Sequence, residues 1–147
     1  MAYRLLTPSD RDAYLQMVHA FYHSDAVLHP IPDTYAEATF DELMRADTYA
    51  RAYLLEHDGQ TAGYALLAIT FSQEAGGIAW WVEELYVKEL FRGKGIGSGF
   101  LKDLISAAPP EVKRIRLEVE EDNTRAVALY RSLGFEALEY GQMVLER

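Results

Sequence analysis

The chain has 147 residues, no cysteine, half of its residues hydrophobic and a formal net charge of −9, with a pI near 4.8. That length suits one domain with a sizeable core, and the composition is that of an ordinary soluble globular protein. The missing cysteines exclude disulfides, thiolate metal sites and a cysteine nucleophile; the acidic balance speaks against nucleic-acid wrapping, which needs clustered Lys and Arg; and no apolar run reaches membrane-spanning length.

The opening residues MAYRLLTPSDRD lack the charged-then-apolar layout of a signal peptide, so a cytoplasmic location is the default expectation. Tyr3 to Leu6 reads as a short strand. Thr7-Pro8-Ser9-Asp10 is a helix start, with Thr7 as cap, Pro8 at the first helical position and Asp10 three residues after the cap. Ala13, Tyr14, Met17, Val18 and Phe21 recur at helical spacing, which predicts a first helix over Pro8 to His23. Pro30 and Pro32 forbid regular helix in the segment Ser24 to Asp33. A second helix is expected over Thr34 to Ala46, with Phe40, Leu43 and Met44 on its apolar side.

From Arg51 the period changes to two. Ala52 to Glu56 is a strand, Asp58-Gly59 a hairpin turn, Thr61 to Phe71 a second strand and Ile78 to Val87 a third. An amphipathic helix follows, with Ile96, Phe100, Leu101, Leu104 and Ile105 on one face and Pro109-Pro110 as its stop. Ile115, Leu117 and Val119 alternate with charged residues as a further strand. The βαβ order makes that strand parallel to Ile78–Val87. Asp122-Asn123-Thr124 caps a last helix through Leu133, and Gly134 is a left-handed stop. Phe135–Leu138 and Gln142–Leu145 are expected to close as a hairpin around Tyr140-Gly141. Residues 1–147 thus form one α+β domain, with a mixed, mostly antiparallel sheet and flanking helices.

The chemistry concentrates between Glu83 and Ser98. Glycines between a strand and a helix let backbone amides approach a ligand closely, and a helix start offers unpaired N–H groups to an anion. Arg92 and Lys94 add two positive charges. The dinucleotide fingerprint fails, because Ser98 stands where its third glycine belongs, and no P-loop string occurs. What remains is Arg92-x-x-Gly95-x-Gly97.

With Glu83-Glu84-Leu85-Tyr86-Val87 before that turn, and Asn123 to Phe135 (NTRAVALYRSLGF) after it, the chain resembles the GNAT superfamily of acetyl-CoA-dependent N-acetyltransferases. The order of elements agrees over nearly the whole chain. The resemblance implies a splayed pair of parallel strands with the pantetheine arm of coenzyme A in the gap. The backbone of the Leu85-Tyr86-Val87 segment would pair with that arm, through Leu85 and Val87. Arg92, Gly93, Lys94, Gly95, Ile96, Gly97 and Ser98 would surround the pyrophosphate, and Asn123 would both cap its helix and touch the cofactor.

An amine acceptor must lose a proton before attack, so a carboxylate is needed as base. Glu83 is the candidate suggested by similar enzymes, with Glu84 in reserve. On a regular strand Glu83 shares a face with Leu85 and Val87, but a bulge would spoil that parity. The resemblance makes Tyr130 the acid for the departing thiolate; by spacing alone it also fits a core aromatic. His19, His23, His29 and His57 show no metal spacing, and no metal is expected. Tyr22, Tyr35, Trp81 and His29 are candidates for the acceptor wall, and Trp80 and Trp81 should face opposite sides of the sheet.

The resulting expectation is direct acetyl transfer in a ternary complex, to a small cationic primary amine. A peptide or protein amine is the alternative acceptor. A non-catalytic acyl-CoA-binding regulatory module and a generic nucleotide-binding domain are the alternatives of other classes. Neither nucleic acid nor membrane is an expected partner, and edge strands with exposed aromatics fit a homodimer.

Overall fold

A computed structural model describes residues 2–147. Five strands form one sheet in sequence order: β1 (Ala2–Leu5), β2 (Ala50–His57), β3 (Gln60–Ser72), β4 (Gly77–Val87) and β5 (Val112–Leu117). All neighbours are antiparallel except β4 and β5, which run parallel. The helices are α1 (Arg11–Tyr22), α2 (Asp33–Arg45), α3 (Ile96–Ala107) and α4 (Thr124–Ser132), with short 3-10 turns at Pro8–Asp10 and Glu89–Phe91. No helix among the described residues is long and apolar enough to cross a membrane.

Local chemistry explains most boundaries. The Thr7 backbone N–H donates to Asp10 Oδ2 at 2.7 Å, completing the predicted helix entry. Arg4 clamps the same carboxylate through Nη1 at 2.8 Å and Nη2 at 3.0 Å, which ties β1 to that entry. The Arg4 and Thr7 hydrogen bonds hold the Asp10 carboxyl well below the usual carboxylate range. Asp58 and Gly59 both take left-handed φ values, 50° and 74°, as the two-residue β2–β3 turn requires.

The two faces of the sheet bury separate cores. On one face α3 packs Phe100, Leu101 and Leu104 against Leu55, Leu67, Trp80 and Val82. On the other, α1 and α2 pack Tyr14, Met17 and Phe40 against Ala52, Leu54 and Tyr64. Trp80 lies in the first core at 5% exposure, whereas Trp81 sits beneath the Arg116 guanidinium, 3.8 Å from its ring centre.

Two expectations need correction. The strand predicted through Val119 ends at Leu117. The terminal hairpin is not formed, and residues 135–147 are neither helix nor strand. An isolated two-stranded hairpin is marginal without an apolar layer beneath it. Here Met143, Val144 and Leu145 are at least 80% exposed, and Gly141 does not adopt the left-handed φ of a tight primed turn. The segment is instead held by Phe135 N–H on the Tyr130 carbonyl at 3.0 Å and by Tyr140 Oη on Glu74 at 3.1 Å.

Candidate active site

The site begins where two strands part. β4 pairs with β5 from Ile78↔Val112 to Val82↔Leu117, and the pairing stops there. From Glu83 onward β4 runs without its parallel neighbour. On the other side the β3–β4 register passes from Leu67↔Val82 to Leu66↔Glu84, so Glu83 is the extra residue of a bulge. The bulge shifts the parity of the strand by one. Trp80 and Val82 point to the α3 side before it, and so do Leu85 and Val87 after it.

The same bulge gives the two adjacent carboxylates opposite fates. Glu84 is 9% exposed on the α1 side. It accepts hydrogen bonds from Tyr22 Oη and, at 2.6 Å, from Tyr64 Oη. Burial first, and the Glu84 charge after it, push both phenols well above their ordinary range, so both keep their protons and donate. Glu83 remains exposed at the fork. Loss of water around it raises its carboxyl above the ordinary range, and repulsion from Glu118 and Glu84 adds to this.

Beyond the fork the β4 backbone is an open edge. Lys88 N–H bonds the Ala62 carbonyl at 2.8 Å, and Val87 is the partner of Gly63. Alternation along an antiparallel ladder then turns the N–H and C=O of Val87 and Leu85 away from β3, into the gap. The close approach of β3 here demands glycine, since a Cβ on Gly63 would stand 2.0 Å from the Tyr86 carbonyl oxygen.

Two clefts meet at this edge. One, about 300 Å³, lies between Leu85-Tyr86-Val87 and the end of α1, with Ala20, Phe21, Ser24 and Ala26 on its far wall. The other, about 460 Å³, lies between the glycine turn and the start of α4. It takes in Arg92, Gly93, Gly95, Ile96, Gly97, Ser98 and Asn123. Val87, Arg92 and Gly97 belong to both.

The turn has the conformation its glycines permit. Gly93 and Gly95 adopt φ of 76° and 73°, and a Cβ on either would touch nothing closer than 3.8 Å. Backbone conformation, not crowding, selects glycine at both. Gly99 N–H is the first of α3 to find a carbonyl, that of Gly95 at 2.9 Å. The N–H groups of Ile96, Gly97 and Ser98 are left at the mouth of the cleft, where the helix dipole also favours an anion. Ser98 Oγ turns back to the Gly95 carbonyl at 3.2 Å. Open amides, positive φ and a free strand edge suit a long ligand with amides at one end and phosphates at the other; the residues fit coenzyme A.

Most of the site residues expected from sequence come together here. Lys94, Glu83 and Tyr130 line neither cleft. Tyr130 is half-buried beside Phe135, ring centres 6.0 Å apart, and burial raises its phenol above the ordinary value. Asn123 caps α4 by accepting from Ala126 N–H at 3.2 Å and also lines the second cleft. Tyr35 is 59% exposed and lines neither cleft. Sequence reasoning missed Ala20, Phe21 and the Arg125–Leu129 wall. Only Arg125, a lone cation after the acidic run Glu118 to Asp122, carried a usable signal.

The fold is shared with solved structures described as acetyltransferases. The family model described as Acetyltransferase (GNAT) family matches residues 14–135, and the chain belongs to that family. An uncharacterised protein of Mycobacterium leprae is 34% identical over 134 residues, 90% of this chain and 34% of that protein. A spermine/spermidine N(1)-acetyltransferase of Bacillus subtilis is 29% identical over 92 residues, 60% of each chain. The chain thus spans from about a third to about three fifths of these two relatives. A solved structure of AAC(6')-Iy with the bisubstrate analogue CoA-S-monomethyl-acetylneamine superposes with a TM-score of 0.79 at 17% identity, over 99% of this chain and 97% of that one.

Proposed function

We propose that residues 1–147 act as one N-acetyltransferase domain, moving an acetyl group from acetyl-CoA to a small cationic primary amine, in the cytoplasm. The observation that carries the donor half is the β4–β5 ladder ending at Val82↔Leu117 with a glycine turn at the mouth of the gap. Acetyl-CoA, when bound, supplies an acetyl group activated as a thioester. Leu85 and Val87 would hold its arm as an added strand would, and the turn from Arg92 to Ser98, with Asn123, would hold its phosphates.

On the acceptor side, Glu83 Oε takes the proton that an ammonium must lose before its nitrogen can attack. Its raised pKa makes it a stronger base than an ordinary carboxylate. Tyr130 Oη, still protonated at neutral pH, holds a proton for the departing sulfur. Glu84 is the weaker candidate for base, since two phenols already occupy its oxygens. With no cysteine in the sequence to carry the acyl group, attack is direct. Glu83 and Glu118 at the fork, and the net charge of −9, favour a cationic acceptor. The Bacillus subtilis relative's name, a spermine/spermidine acetyltransferase, points the same way.

The test is acetyl transfer from acetyl-CoA to a panel of polyamines, amino-acid amines and peptide amines, read as released thiol. Turnover highest with the polyamines is expected. Turnover only with peptide amines would replace the acceptor class, and coenzyme A binding without turnover on any amine would reduce the domain to a binding module.

A further inference from the structure

Arg92, with Val87 and Gly97, lines both halves of the cleft. Its Nε donates to the Val87 carbonyl at 3.0 Å, and its side chain is otherwise exposed to solvent. The Val87 carbonyl is one of the groups that ladder alternation turns into the gap, because Lys88 rather than Val87 bonds β3 there. The guanidinium therefore covers the strand edge that a pantetheine arm would use. An amide running along that edge and the Arg92 side chain compete for the same side of β4.

Building on the donor reading above, we propose that Arg92 is a latch that makes this enzyme select acyl donors carrying a diphosphate. With no phosphate nearby, the guanidinium stays on the Val87 carbonyl and opposes the arm. A diphosphate at the open amides of Ile96, Gly97 and Ser98 offers the guanidinium charged oxygens. A guanidinium and a phosphate carry opposite charges and can pair through two parallel hydrogen bonds, which the single bond to the neutral Val87 carbonyl does not offer. The side chain swings to the diphosphate, and the Val87 carbonyl is released to the arm. The phosphate end of the donor thereby licenses binding of its acyl end.

The consequence is read with two donors, acetyl-CoA and the phosphate-free S-acetylpantetheine. Inorganic pyrophosphate added to the wild-type enzyme should raise kcat/KM for S-acetylpantetheine by about 3- to 10-fold, the worth of one released hydrogen bond. Arg92→Met should remove that activation and raise the basal kcat/KM for S-acetylpantetheine by a similar factor. It should also lower kcat/KM for acetyl-CoA by about 10- to 100-fold. Simple inhibition or no effect of pyrophosphate on the wild type, or an equal loss with both donors in Arg92→Met, would overturn the latch. The pyrophosphate arm needs no mutant, so it stands even if Arg92→Met folds poorly. Absence of transfer from acetyl-CoA in the wild type would instead remove the donor reading itself, and the latch with it.

Discussion

The two halves of β4 have the same neighbours in sequence and opposite tasks. From Ile78 to Val82 the strand is paired on both sides and buries Trp80 and Val82 beneath α3. From Glu83 to Val87 it keeps β3 but has no β5, and its second backbone edge opens onto two clefts. Where both ladders are complete, the strand stabilises. Where one is withdrawn, its peptide groups are left without a strand partner, and the unmatched residue at the border, Glu83, is left exposed. Changes in the lower half should therefore cost stability and spare the chemistry, and changes in the upper half should do the reverse.

The largest effect expected is in the lower half. Trp80→Ala should destabilise the fold by about 3–5 kcal/mol, read from denaturant unfolding, because it empties a site 5% exposed in the core. Equal loss of stability from a Leu85→Ala change would erase the contrast. Gly63→Ala is the informative exception in the upper half. Its Cβ would meet the Tyr86 carbonyl at 2.0 Å and push β4 aside, costing about 3 kcal/mol and weakening coenzyme A binding together with stability.

Glu83→Gln should lower kcat by about 100-fold at unchanged melting temperature. The pH profile gives the sign. Because the carboxyl of Glu83 is raised, it stays protonated to a higher pH than a free glutamate. The acid limb of kcat/KM should accordingly lie above the ordinary carboxylate range and vanish in Glu83→Gln; an unshifted profile would pass the role of base to Glu84 or water. The smallest effect is expected of Tyr130→Phe: about 10-fold in kcat with coenzyme A affinity nearly constant. Loss of stability in place of rate would make Tyr130 the core aromatic that its helical spacing also allows.

Much of this contrast was legible in sequence where its causes are local. Turn chemistry located Asp58-Gly59, and the Thr7–Asp10 spacing located the entry to α1. The pattern Arg92-x-x-Gly95-x-Gly97 located a phosphate-sized turn, because positive φ at Gly95 and free N–H groups at a helix start follow from a few adjacent residues. The wall residues Ala20, Phe21, Ala126 and Leu129 were not legible, since they carry no distinctive chemistry and reach the clefts only through packing. The terminal hairpin failed for the complementary reason: its alternation was local, but a hairpin needs a surface to cover.

The sequence by itself determined that a glutamate pair precedes a glycine turn between a strand and a helix, and that a second motif ends in Tyr130 and Phe135. Tertiary structure alone decided which glutamate is open. The β3–β4 register skips Glu83 between Leu67↔Val82 and Leu66↔Glu84, leaving it at the fork while Tyr22 and Tyr64 enclose its neighbour. Register is a property of two strands and the layers that cover them, so no reading of one strand could assign it.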